Sequence, residues 1–137
     1  LSISVALSDH FRQARYEAVI QFLTELGEKE QIEARKHIYN TDPKSIAIDD
    51  THASLVVNFY HKWGTMAEHR LLPLWVFNTA NQAGMMRLHD SLMPFMVSMR
   101  ERNEDEAYAS GFEYLYRKLG RKARHGKAFE GLLKRYF

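Results

Sequence analysis

Apolar residues recur every three or four positions along nearly the whole chain, the period of an α-helix that buries one face. Phe11, Ala14, Ala18, Phe22 and Leu26 follow this spacing, with Arg12, Glu17 and Glu25 on other faces. Gly27 suits the position just past the helix end. A second helix is expected over about residues 28–39, with Ile32, Ile38 and Tyr39 on its apolar side. Asn40-Thr41-Asp42-Pro43 then signals a turn. Ile46-Ala47-Ile48 is too short for a strand and is expected to pack across the start of the next helix.

Asp49, Asp50 and Thr51 are each suited to cap a third helix, which should reach about residue 69. Leu55, Val56, Phe59, Trp63, Met66 and Ala67 form its core stripe. Pro73 suits the first turn of a fourth helix with Leu74, Phe77 and Ala80, which Gly84 ends or bends. A fifth helix is expected over about 85–102, carrying Met85, Leu88, Leu92, Met96 and Met99 on one side and kinked at Pro94. Asn103 and Glu106 are spaced as a capping box for a sixth, running through Tyr108, Phe112, Leu115 and Leu119 to Gly120. Residues 128–137 suit a short seventh helix. No Asn-Gly or Asp-Gly hairpin signal and no internal repeat occurs. The expected fold is all-α: one antiparallel bundle of about six helices over residues 1–120, followed by a basic, partly helical extension over 121–137.

Composition supports such a bundle. A chain of 137 residues can bury about two-thirds of its unfolded surface, enough for a core without staples. There is no cysteine, which excludes disulfides and thiolate metal sites and fits a reducing compartment. No run of 18 apolar residues is present, so no complete membrane helix is expected. Leu1-Ser-Ile-Ser-Val-Ala-Leu7 is apolar, however, and suits either the last turns of a membrane helix or the buried start of a core helix.

Charge is segregated. From Tyr114 to Phe137 the segment is +7 and residues 1–113 carry −5, within a net charge of +2. Arg117 and Lys118 complement the dipole of a helix that opens with Glu104, Asp105 and Glu106. Arg121, Lys122, Arg124 and Lys127 have no such account. Together with Arg117, and flanked by Tyr114, Tyr116 and Tyr136, they are candidates for binding nucleic acid or anionic lipid heads. No helix-turn-helix or other sequence-reading motif accompanies them.

No catalytic, cofactor or metal residue is assigned. His61 and His69, eight apart, lie near one helix face, but no His-Glu-x-x-His motif occurs, and His52 and the His89-Asp90 pair could join them only through the fold. Glu68 and Glu113 have no partner in sequence for acid–base work. The dense methionines from Met85 to Met99 suit a core better than an adaptable partner groove. Asn58, next to the Leu55/Phe59 stripe, is expected to be partly buried and to fix helix register through its hydrogen bonds.

Leu55-Val-Val-Asn-Phe-Tyr-His-Lys-Trp-Gly64, Leu92-Met-Pro-Phe-Met-Val-Ser-Met-Arg100, Tyr108 with Phe112-Glu-Tyr-Leu115, and Arg35-Lys-His-Ile-Tyr39 resemble a bacterial family of domains of unknown function, number 4760. The resemblance covers about residues 10–120 and its motifs are short and mostly apolar. It implies an all-helical bacterial domain, often preceded by a membrane helix, and brings no assigned activity and no catalytic residue. The expectation is a binding or regulatory module, acting through protein contacts in the bacterial cytoplasm or at the cytoplasmic face of the inner membrane. Two alternatives stand beside it: non-specific binding of nucleic acid or anionic lipid by the basic end, and a metal enzyme using His61, His69, His89 and nearby acids. Trp75 and Phe137, read as exposed aromatics, also make a homo-oligomer an expectation.

Overall fold

The computed structural model describes residues 3–79 and 82–120. They form α1 (Ile3–Leu26), α2 (Lys29–Tyr39), a 3-10 turn (Pro43–Ser45), α3 (Thr51–Glu68), α4 (Trp75–Thr79), α5 (Gln82–Asn103) and α6 (110–120), with no strand among the described residues. The all-α bundle expected from the periodicity is what forms. The basic extension over 121–137, with the expected seventh helix, lies outside the described residues.

Helix α3 is the hub. Asp50 caps it, its Oδ1 accepting the Ala53 N–H at 3.0 Å. A cap of this kind contributes about 1 kcal/mol. Val56, Val57, Phe59, Tyr60, Trp63 and Ala67 are buried along it. Phe22 of α1 reaches in to meet Phe59, Trp63 and Phe77, with ring centroids 5.7, 5.6 and 4.9 Å away. Tyr60 carries the ring cluster onward to Phe112 of α6, stacked at 4.9 Å. Phe22 is the main hold of α1 on the bundle, since only Ala18 is buried with it on that helix. Truncating a buried Phe costs about 3–5 kcal/mol, so Phe22→Ala would loosen the whole helix.

Helices α3 and α6 cross in backbone contact. A Cβ on Gly64 would fall onto the Gly111 carbonyl, and one on Gly111 onto the His61 carbonyl. The Gly111 N–H donates to His61 Nδ1 at 3.0 Å, so a side chain of α3 satisfies a backbone donor in the first turn of α6.

Several local expectations are corrected. Asn103 ends α5 instead of opening the sixth helix, which starts at residue 110. The reason is a left-handed residue at Glu104 (φ 51°), with Glu104 N–H bonded to the Glu101 carbonyl and Asp105 N–H to that of Arg100. This is a Schellman ending without glycine. Helix α3 ends the same way at Arg70 (φ 62°), where Leu71 N–H reaches the Met66 carbonyl at 2.8 Å. Gly27, by contrast, ends α1 without positive φ, its N–H shared between the Leu23 and Thr24 carbonyls. Helix α5 runs through Pro94 as one element, and the proline ring faces solvent. The methionines do line the core: Met85 and Met96 are buried, and Met86, Met93 and Met99 pack against it.

Two expectations about burial fail. Asn58 is exposed, so it is not a buried register residue; it lies on the opposite side of α3 from the core stripe. The apolar start is not a buried first turn. Residues 3–13 are helical and exposed, with Ile3 at 80%, Leu7 at 52% and Phe11 at 57% exposure. Among the described residues no helix is long and apolar enough to cross a membrane.

Candidate functional site

Three places combine chemistry with accessibility or strained burial. The first is a pair of shallow depressions beside the middle of α1, which share Arg15 and Pro73 as walls. One is completed by Arg12, Tyr16, Val19 and Trp75, the other by Glu68, Arg70, Leu74, Tyr114 and Lys118 among its lining. Arg12 meets Asp9 at 3.5 Å in an open i,i+3 pair. No acidic group stands within ion-pair distance of Arg15, Arg70 or Lys118 among the described residues. The groove therefore presents three cations with no ion-pair partner among the described residues, alongside aromatic faces, with Glu68 the one acid among these wall residues. Arg70 points here because the left-handed ending of α3 turns the chain toward Pro73.

The second place lies where α2 hands over to α3. His37, in the last turn of α2, approaches Asp50 with Nε2 2.9 Å from Oδ2. His52, in the first turn of α3, sets its ring 4.5 Å from that of His37, tilted by 35°. Burial opposes the charged form of Asp50, but the Ala53 N–H and the His37 ring outweigh it and hold the carboxyl below the usual range. The turn over residues 40–45 brings the three together, with Asp42 accepting the Lys44 N–H to fold it.

The third place is internal. His89 of α5 is only 2% exposed. Tyr116 stacks on its ring at 3.9 Å and Phe112 meets it edge-on at 5.0 Å. Its Nε2 stands 3.4 Å from Glu113 Oε2, too long for a good hydrogen bond, and its Nδ1 has no hydrogen-bond partner among the described residues. Arg100 holds Glu113 from the other side, with Nη2 2.9 Å from Oε1, while its Nε–H donates to the Tyr108 carbonyl. Burial pushes the His89 imidazole below its usual range, and the Glu113 and Asp90 charges recover only part of that shift.

Of the residues singled out in the sequence, Arg117 is exposed near the end of α6, next to the groove residue Lys118. Arg121, Lys122, Arg124 and Lys127 lie outside the described residues. His61, His69 and His89 do not converge: His61 binds Gly111, His69 ends α3 in solvent, and His89 is buried at Glu113. Glu113 is paired after all, with Arg100, while Glu68 is exposed in the groove wall. Trp75 is exposed, as expected. The His37, Asp50 and His52 group was missed because Asp50 reads as a cap and His37 is separated from it by a turn. The available signal was an Asp-x-His pair at a helix start just after a His-bearing helix end.

Comparison with family models, with curated proteins and with solved structures gives no match for this chain.

Proposed function

We propose that this chain is a helical binding module whose groove beside α1 receives an acidic segment of a partner protein. The observation that supports this reading is the run of Arg15, Arg70 and Lys118, none of which has an acidic partner among the described residues, beside the exposed aromatic Trp75. Cations lining a depression with apolar walls attract and orient an anionic segment, while aromatic faces give it apolar contact. A charged side chain left without a partner on a surface is ordinary; three converging on one depression with aromatics make a complementary face. The likeness to family 4760 belongs to the same proposal. Its quoted segments Leu55–Gly64 and Leu92–Arg100 fall on the core helices α3 and α5, so they speak for a shared scaffold and leave the groove as this chain's own.

The test is fluorescence anisotropy with a glutamate-rich peptide carrying one aromatic residue, run beside a single-stranded oligonucleotide and vesicles containing anionic lipid. The reading expects the peptide to bind, more weakly as salt rises, and Arg15→Glu with Arg70→Glu to lose at least about tenfold in affinity. Equal binding by the charge-reversed protein would sink it. Preference for the oligonucleotide or the vesicles would transfer the groove to one of the other anionic partners.

A further inference from the structure

We propose that His37, Asp50 and His52 form a binding site for a first-row divalent metal ion of the zinc type. One ligand atom from each residue lies within 4.8 Å of the other two, on half-buried side chains. Two imidazoles and one carboxylate are the donor set that zinc and its neighbours favour. They supply a single negative charge, and three protein ligands leave a coordination position open to water.

The local build favours this use. Asp50 divides its carboxylate: Oδ1 is fixed by the Ala53 N–H at 3.0 Å, which leaves Oδ2 directed at His37. A ligand whose other oxygen is already bonded to backbone is oriented before the ion arrives. A tetrahedral ion holds its ligand atoms roughly 3.3 Å apart, given bond lengths near 2.0–2.1 Å. The 2.9 Å separation of His37 Nε2 and Asp50 Oδ2 needs to open by a few tenths of an ångström to admit it. His52 then closes the triangle by turning its ring, which no hydrogen bond holds among the described residues. The end of α2 favours a cation and the start of α3 disfavours one, so the helix dipoles cancel and the ligands decide.

This site stands apart from the groove beside α1 and does not depend on it. The competing description is a cap hydrogen bond with a stacked imidazole and no affinity for metal. Titration of the full chain with zinc, followed by nitrogen-15 spectra of the histidine rings, separates the two without any substitution. The proposal expects the ring nitrogens of His37 and His52 to shift together at one equivalent. Cobalt should give the visible absorption of a tetrahedral site. His37→Gln and His52→Gln, which leave the Asp50 cap in place, should each weaken binding at least about tenfold, and His69→Gln in open solvent should leave it unchanged. Shifts confined to other histidines, binding unaffected by both Gln variants, or no binding at micromolar zinc would each overturn the site.

Discussion

Gly64 of α3 and Gly111 of α6 meet with no space for a side chain on either. The atoms a new Cβ on Gly64 would strike all belong to the Gly111 backbone, which cannot rotate away. Alanine in mid-helix is ordinarily favoured over glycine by about 1 kcal/mol. Here the clash reverses the sign, because overpacking against fixed atoms costs about 1–3 kcal/mol or more. Gly64→Ala should therefore lower the denaturation midpoint, and because His61 would be pushed from the Gly111 N–H, the loss should exceed a simple packing defect. Chemical denaturation of the variant checks this, and an unchanged midpoint would mean the helices part freely.

Glu25 accepts from three side chains, and two of them, Lys62 and Trp63, differ in worth. Lys62 Nζ reaches it at 2.7 and 2.9 Å from an exposed position, and Nε1 of the buried Trp63 reaches it at 2.8 Å. Burial raises the Glu25 carboxyl, but the hydrogen bonds from Lys62, Gln21 and Trp63 leave it lowered overall. An exposed lysine pair contributes about 0–1 kcal/mol, whereas stranding a buried indole N–H costs about 1–3 kcal/mol. Lys62→Ala should be mild and Glu25→Ala severe, with Glu25→Gln close to the lysine variant because the amide still accepts from the indole. Thermal melts of the three give the order, and a lysine variant as damaging as Glu25→Ala would contradict it.

The buried imidazole of His89 sets an acid limit. Its folded-state affinity for protons is below that of the unfolded chain, so the unfolded state takes up more protons as pH drops. The stability tied to neutral His89 is complete above the unfolded value of about 6.5 and is lost as pH falls below it, through the lower folded value. Denaturation midpoints measured between pH 7.5 and 5 should decline, and His89→Phe should flatten that decline. A slope unchanged in the variant would place the acid sensitivity elsewhere.

Helix α5 ends on Glu104 in a conformation that suits glycine. A non-glycine residue there carries a cost of about 1 kcal/mol. Glu104→Gly keeps the two closing hydrogen bonds and removes that cost, so a gain of about 0.5–1 kcal/mol is expected in an equilibrium unfolding measurement. The looser unfolded chain that glycine brings works against the gain, and a net loss would show the left-handed turn to be relaxed already.

These endings explain where sequence reading stopped. The positions of α2, α3 and α5 and the core stripe of Val56, Phe59, Trp63 and Ala67 follow from periodicity, and they form as expected. The start of α6 was misplaced because a Schellman turn at Glu104 leaves no glycine to mark it. Asn58 was misjudged by one position on a helix, where one residue is a rotation of about 100° and is enough to turn a side chain from core to water. The sites were less legible than the fold. His37 meets Asp50 across a turn, Arg70 and Lys118 line one depression from distant parts of the chain, and His89 meets Glu113 across a helix crossing. Such meetings depend on tertiary placement, which a spacing rule does not see.

The outer turns of α1 have a consequence for heat and proteases. Residues 3–13 are helical and exposed, and a helix of about three turns with so little burial is marginal in water. That end should unwind gradually on warming, before the bundle melts in a single step. Its ellipticity loss would be linear, and Arg12 would be cut by trypsin in a protein whose core is still intact. Whatever molecule settles against Leu7 and Phe11 would slow that cut, which makes protection of one peptide bond a direct assay for a ligand of this helix.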